Sequence, residues 1–436
     1  MTRTLRIGLL GCGVVGTGVL QLLRDHRERL TSRVDVALEV RRIGVRDIAR
    51  PRDAIVPTKL LTDDLTSVVE ADDVDVVVEV MGGLDVAGPL MRRALERGKH
   101  VVTANKALIA EYGSDLLEVA HAHGADLYFE AAVAGGIPIL RVLRESLVSD
   151  RVTRLRGVVN GTSNYILSRM AQEGVDFEVA LREAQAAGYA EADPALDING
   201  GDAAHKLAIL ATLAFGARVT PANVYTEGID TVAAEDIAFA RNLGYAIKPL
   251  AVARETPSGQ LDLRVHPALI PRDNALANIH DAINAVQIDA AALGSGLLSG
   301  PGAGQLPTAM SVLSDIVDVA RNYAAGAHGR VPPRAVREVR LADIPVHDIL
   351  ELRARYYLRF SVADRPGVLG FLATVLGAHD VSIEQMFQEG RSDEMRWATV
   401  VILTHRARER DIRDAIAEIE RDEYVYRPAH RILIEE

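Results

Sequence analysis

At 436 residues, 48% hydrophobic and 25% charged, the chain is globular and too long for one ordinary core, so two or three domains are expected. A net charge of −11 without any Lys/Arg-rich block excludes the electrostatic footprint of a nucleic-acid or anionic-membrane binder and favours small ligands. The single cysteine, Cys12, offers neither an intrachain disulfide nor a thiolate cluster for a structural metal, and no apolar stretch reaches membrane-spanning length, so a cytoplasmic protein is expected.

Leu5 to Leu10 is a short apolar run that ends in GCGVVG, after which Val19, Leu20, Leu22 and Leu23 continue at helical spacing. This predicts strand, glycine turn and helix. Two arginines before the apolar run resemble a signal peptide, but glycines interrupt it and no small-residue cleavage site follows. Further strands are expected at Val36 to Val45, Val74 to Val80 and His100 to Thr103, alternating with helical or polar segments such as Pro89 to Arg97. That alternation implies a doubly wound parallel sheet of Rossmann type over residues 1–133.

From about Glu130 the character changes to a glycine-rich turn, EAAVAGGIP, a strand at Val152 to Val159, and helices. An α+β domain is expected over 134–304, for substrate binding and dimerisation. The long helix after GPGAGQLPTA would return to complete the first domain with residues 305–340. Beyond VPPR the order is strand Tyr356 to Val362, turn DRPG, helix Leu369 to Gly377, strand Val381 to Gln388, strand Arg396 to Leu403, helix Glu409 to Arg421 and strand Tyr424 to Leu433. This βαββαβ order predicts a ferredoxin-like domain over 350–436.

Glycines in a G-x-G-x-x-G pattern are weak evidence alone, because such turns also serve purely steric ends. Between a strand and a helix they suit a dinucleotide pyrophosphate, with Gly11, Gly13, Val14, Val15 and Gly16 at the helix N-terminus. The second strand runs out at GVRD, which puts Arg46 where an NAD-selective protein often carries its ribose-binding acid. An arginine there favours the 2′-phosphate of NADP, with Lys59 as a second contact, against the alternative of a merely solvated side chain beside Asp47. TANK follows a parallel strand, which places Lys106 at the sheet end where ligands bind; the alternative is an ordinary surface lysine.

The stretch GYAEADPALDINGGDAAHKL gathers Glu191, Asp193, Asp197 and Asp202 ahead of Lys206. Ala203, Leu207, Leu210, Ala211 and Ala214 form a helical stripe that sets Asp202 and Lys206 one turn apart. An exposed pair there contributes only ~0.3–0.5 kcal/mol and leaves the other acids unexplained. A buried acid cluster would repel itself unless it held a cation, for which an amino-acid ammonium group is suitable, and the lysine beside it could exchange a proton with the ligand's oxygen.

The string AQAAGYAEADPALDINGGDAAHK, Ala184 to Lys206, resembles the signature of homoserine dehydrogenases, and NGTSNYIL, EAAVAGGIP and GPGAGQLPTA are similar to that family too. The tail with DRPGVL resembles an ACT domain, and no aspartate kinase segment precedes the dehydrogenase part, so the monofunctional form is expected. The resemblance implies reversible reduction of L-aspartate 4-semialdehyde to L-homoserine with NADPH or NADH, on the route to threonine, methionine and isoleucine. It implies Lys206 as proton donor with Asp202, substrate binding by Glu191, Asp202 and Asp197, and Lys106 between cofactor and substrate. It also implies Gly188 and Gly302 near the nicotinamide, and a monovalent cation (Na⁺ or K⁺) at Glu130, Val133, Gly135 and Ile137. A homo-oligomer, dimer or tetramer, and threonine as an effector at the ACT domain complete the expectation, with no nucleic acid and no membrane. Two other readings are kept. One is a further NAD(P)-dependent amino-acid oxidoreductase, which has no reason to carry the whole acidic signature; the other is a non-catalytic amino-acid sensor, against which Lys206 speaks.

Overall fold

A computed structural model describes residues 3–389 and 397–436. Arg396, the expected start of one strand, lies outside the described residues. By packing the chain forms two units, Met1–Gly161 with Gly201–Val224 and Ala282–Ile344, and Thr162–Gly200 with Tyr225–Asp281 and Pro345–Glu436.

The first unit is built on a six-stranded parallel sheet of β1 (Arg3–Leu10), β2 (Val36–Gly44), β3 (Leu61–Thr62), β4 (Val76–Glu79), β5 (His100–Thr103) and β6 (Leu127–Tyr128), in the order β3-β2-β1-β4-β5-β6. Val76, Val77 and Val78 are all fully buried, as they must be when helices cover both faces of a parallel sheet. The strand order reverses beside β1, and open α/β sheets bind ligands at that switch point. The helix Gln305–Ala325 returns to this sheet and buries Ala309, Val312, Ile316 and Val319 against Leu5, Ile7, Leu9 and Val78. It runs close over the helix Val14–Asp25, since a Cβ on Gly18 would stand 2.5 Å from the Gln305 carbonyl oxygen. A small antiparallel array of Val152–Val158, Ile283–Ala290 and Gly294–Pro301 belongs to the same unit.

The second unit has a sheet of Tyr245–Glu255, Leu261–Pro271, Val425–Ile434, Arg353–Ala363, Trp397–Thr404 and Ile383–Glu389, in that spatial order. Its last four strands, with helices Val368–Ala378 and Glu409–Ile419, form the expected βαββαβ arrangement. Tyr356, Leu358, Phe360, Val400, Ile402 and Leu433 face those helices, while Tyr357, Val401, Leu403, Ile432 and Ile434 pack on Ile166, Leu167, Ala184, Ile237 and Phe239. The period of two therefore buries both faces, and WATVVILT reads as a continuous apolar run for that reason. The C-terminal module is thus built into this unit's sheet and core.

Charge is buried here as well. Arg264 donates to Asp262 Oδ1 at 2.8 Å and to Glu435 Oε2 at 3.1 Å, and its Nη1 lies 3.0 Å from His266 Nε2. His266 Nδ1 stands 2.8 Å from the Pro267 carbonyl oxygen, which fixes the ring as an Nδ1–H donor whose Nε2 accepts from Arg264. Burial, and then Arg264, push the His266 pKa down to about 3.

Candidate active site

Gly11 ends β1 with φ +98°, and a Cβ there would stand 2.9 Å from the Val80 backbone, so only glycine makes this turn. A Cβ on Gly16 would come within 2.4 Å of the Gly11 oxygen, whereas one on Gly13 would meet no atom within 4 Å. Two glycines are thus required by the protein's own packing, and the third keeps open the approach to the helix N-terminus. Gly13 caps the helix Val14–Asp25 without a side-chain hydrogen bond, Val14 is exposed, and Val15 is half-buried against the core. Uncapped N–H groups beside an open glycine fit a pyrophosphate. Arg46 follows β2 and Lys59 lies in the turn Thr58–Leu60. Both are exposed, and neither makes a hydrogen bond or ion pair among the described residues.

The carboxyl ends of β4 and β5 are tied together by Glu79, which accepts from Thr103 Oγ1 at 2.6 Å and from the N–H groups of Met81 and Gly82. Asn105 caps the helix Lys106–Ala122 by accepting from the Leu108 N–H, and its Nδ2 donates to the Gly83 oxygen. These bonds set Lys106 at the first position of that helix.

The helix Gly201–Phe215 supplies the other half. Asp202 Oδ1 pairs with Lys106 Nζ at 2.9 Å, and Oδ2 takes hydrogen bonds from Lys206 Nζ at 2.7 Å and Asn160 Nδ2 at 2.8 Å. Burial alone would raise the Asp202 pKa, but Lys206 and Lys106 outweigh it and hold the carboxyl well below the usual carboxylate range. Lys206 Nζ also donates to the Val159 oxygen at 2.7 Å, and Asn284 Nδ2 reaches that same oxygen at 3.0 Å. Gly302 is required at its position because a Cβ would stand 2.3 Å from the Asn284 side chain. The structure thus brings Lys106, Asp202 and Lys206 together, and adds Asn160 and Asn284, which sequence reasoning missed. NGTSNYIL was noticed, but nothing local marks Asn160, whose partner is 42 residues further on.

Of the four acids, Asp202 alone is buried; Glu191 and Asp193 are exposed and Asp197 is half-buried, all three in the other unit. Gly200, at φ +84° and with its Cβ position 2.8 Å from Thr226, ends the short helix Ala195–Ile198 and separates that loop from the helix of Asp202. Gly188 sits in the same loop at φ +77°, with its Cβ side open.

The turn EAAVAGGIP buries Glu130, Val133 and Ile137 in the first unit. Glu130 Oε1 accepts from the Leu140 N–H at 3.0 Å, while Oε2 is buried without a hydrogen-bond partner. Burial pushes the Glu130 pKa up to about 7 against the opposing pull of Arg144 and Arg141. The Gly135 oxygen accepts from Ser311 Oγ at 2.6 Å. No group of three or more His, Cys, Asp or Glu able to hold a metal occurs among the described residues. No helix among them is long and apolar enough to cross a membrane.

Comparison with known proteins agrees along the whole chain. Residues 11–130 match the homoserine dehydrogenase NAD binding domain, 138–317 match homoserine dehydrogenase, and 356–423 match the ACT domain. The homoserine dehydrogenase of Neisseria gonorrhoeae is 43% identical over 434 residues, 99% of each chain. The crystal structure of a homoserine dehydrogenase from Thiobacillus denitrificans aligns with a TM-score of 0.94 at 43% identity, covering 100% of this chain and 99% of that one. A hyperthermophilic archaeal homoserine dehydrogenase in complex with NADPH aligns with a TM-score of 0.61 at 28% identity, over 72% of this chain and 97% of that one.

Proposed function

Because the chain belongs to the homoserine dehydrogenase family and is an NAD(P)-dependent oxidoreductase, we propose that Lys206 moves the proton as L-aspartate 4-semialdehyde and L-homoserine interconvert. The observation that carries this reading is the saturation of Lys206. Of the three N–H bonds of its ammonium group, Asp202 and Val159 take two and leave one to point at a substrate oxygen. When bound, the nicotinamide supplies the hydride that adds to the aldehyde carbon. Lys206 Nζ gives its proton to the carbonyl oxygen, which becomes the hydroxyl of homoserine, and the reverse reaction returns it. Asp202 aims both lysines, and Lys106, just beyond the end of β5, stands between cofactor and substrate.

Gly11, Gly13, Val14, Val15 and Gly16 cradle the pyrophosphate, with Gly188 and Gly302 near the nicotinamide. Arg46 and Lys59 read the 2′-phosphate, so NADPH serves at least as well as NADH; the archaeal relative bound to NADPH supports that choice. Glu191 and Asp197 face the substrate's ammonium group. The unpartnered Glu130 Oε2 fits one ligand of a monovalent cation, with the backbone oxygens of Val133, Gly135 and Ile137 as the others. Turnover or stability should then respond when Na⁺ and K⁺ are replaced by a bulky organic cation. The three-part division at 1–133 with 305–340, 134–304 and 350–436 remains the functional reading, in a cytoplasmic homo-oligomer, dimer or tetramer.

Threonine is the proposed effector at the turn Asp364 to Gly367, where Gly367 at φ +96° opens the helix Val368–Ala378 to a carboxylate. Titration against full-length chain and an Asp364→Ala variant tests it; inhibition identical in both places the effector elsewhere. The catalytic reading is tested by incubating the chain with L-aspartate 4-semialdehyde and NADPH. One NADPH consumed per homoserine formed is expected, and binding without turnover would leave the sensor reading instead.

A further inference from the structure

The helices that carry Lys106 and Lys206 are tied by Lys106 to Asp202 at 2.9 Å and by the longer His205 to Glu111 pair at 3.7 Å. Both lie near the start of the two helices. The segment that follows the helix Gln305–Ala325 also holds both helices. Arg334, 5% exposed, donates to Ser114 Oγ at 2.9 Å and to the Ile109 oxygen at 3.1 Å, two groups within the Lys106 helix. Its Nη1 also pairs with Glu338 at 3.0 Å. The backbone oxygen of Glu338 in turn accepts from Arg218 at 3.1 Å, just beyond the end of the Lys206 helix. Two backbone bonds, Ala342 N–H to the Gly216 oxygen at 2.8 Å and Arg218 N–H to the Ala342 oxygen at 2.9 Å, close the same strap on that end.

The Lys106 helix is shaped to receive the guanidinium. A Cβ on Gly113 would stand 2.3 Å from Arg334 Nη2. Glycine in a helix interior is destabilising relative to alanine, so its presence here answers a steric need. Gly113 lies seven residues from Lys106, roughly 10 Å along the helix at 1.5 Å per residue. A tilt at the strap is therefore carried along the helix and alters the distance from Lys106 to Asp202.

We propose that Arg334 is a positioning residue for the reaction: with Glu338 it clamps the Lys106 helix to the end of the Lys206 helix, and so fixes both ammonium groups on Asp202. This rests on the reading of Lys206 as proton carrier. A guanidinium is suited to the task because its planar fork engages a carboxylate, a hydroxyl and a carbonyl oxygen from fixed directions, which a lysine cannot reproduce.

The test compares kcat, KM and the pH–rate profile of Arg334→Met, Gly113→Ala and the double variant, with the folded fraction measured separately. Each single change should lower kcat by about 10- to 100-fold, the scale of an ångström-sized misplacement. KM for NADPH should stay near wild type, and the pH–rate profile should shift as Lys106 moves relative to Asp202. Together the two changes should cost no more than the worse one alone, because the alanine methyl then fills space that the guanidinium has left. Wild-type kcat with an unchanged profile in folded Arg334→Met would overturn the proposal, as would losses that multiply in the double variant. Should Arg334→Met not fold, Gly113→Ala decides by itself: it keeps the guanidinium but displaces it, and full kcat there would overturn the clamp. Lys206→Ala serves as the separate control. Full turnover in that variant would sink the catalytic reading, whereas a slow Lys206→Ala beside a fast Arg334→Met would sink the clamp alone.

Discussion

Each unit buries an ionic cluster, and the two are finished differently. In the second unit Arg264, Asp262 and Glu435 have side chains only 1%, 3% and 7% exposed, and His266 takes up a further N–H of Arg264. Asp262 also accepts from Arg254 at 2.8 Å, whose side chain is 33% exposed, so this cluster too reaches the surface through one cation. In the first unit Asp202 is equally buried at 5%, but its partners grade outward, from Lys206 at 12% to Lys106 at 38%. Both clusters therefore carry a partly exposed counter-ion, and what sets the first apart is its place: its ammonium groups lie just beyond the carboxyl end of β5, where open α/β sheets bind ligands and can use a presented charge.

The sharpest way to break this comparison is to remove one cation from each cluster. Lys206→Ala should lower kcat by about 10²- to 10⁴-fold while leaving NADPH affinity intact, as judged by fluorescence titration. Asp202→Asn should fall short of that loss, since the Val159 oxygen still holds Lys206. Arg264→Met should do the reverse. By denaturant titration it should cost on the order of 3–5 kcal/mol of stability, because the buried Glu435 loses its cation and Asp262 keeps Arg254 alone, while the folded fraction keeps its kcat. A large kcat effect from Arg264→Met without loss of stability would erase the distinction.

Protonation gives a gentler probe. His266 has its folded pKa depressed to about 3 from the ordinary 6.5, so the unfolded chain binds a proton that the folded one refuses. Its contribution should leave stability unaffected above pH 6.5 and erode it as pH falls toward 3, by up to ~1.4 kcal/mol per pH unit. Replacing His266 with Gln should flatten melting temperature against pH across that window. The smallest effect is expected at the exposed rim of the first unit. Arg46→Ala should raise KM for NADPH by no more than about 5-fold and leave KM for NADH unchanged, as befits a solvated ion contact. Equal KM values for both cofactors before and after would remove Arg46 from phosphate recognition.

Much of the fold could be read from the sequence wherever apolar runs are short and punctuated. The β1 run ending in GCGVVG and the tail after VPPR are of that kind. The long hairpin Tyr245–Glu255 and Leu261–Pro271 could not be read so well, because Lys248, Arg254, Asp262, Arg264 and His266 interrupt its apolar pattern. Those residues look like a solvated face until their partners are known, and one of them, Glu435, is the penultimate residue of the chain. The same limit applies at the site. One helical turn was enough to pair Asp202 with Lys206, but periodicity carries no information about Asn160, Asn284 or Arg334, which reach their partners across tertiary folds. In the acid-rich loop, closeness in sequence groups Glu191, Asp193, Asp197 and Asp202 but does not by itself say which of them is buried.

The strand Val425–Ile434, last in sequence, lies between Leu261–Pro271 and Arg353–Ala363 in the interior of its sheet. Until that strand has been made, the flanking strands cannot be joined through it, and their inner edges remain unpaired. Domains generally mature from the N-terminus during synthesis; this unit can close only once Val425–Ile434 has been added. Its nascent form therefore exposes strand edges open to edge-to-edge association. Removal of Glu435 would leave Arg264 buried with Asp262 as its one remaining carboxylate.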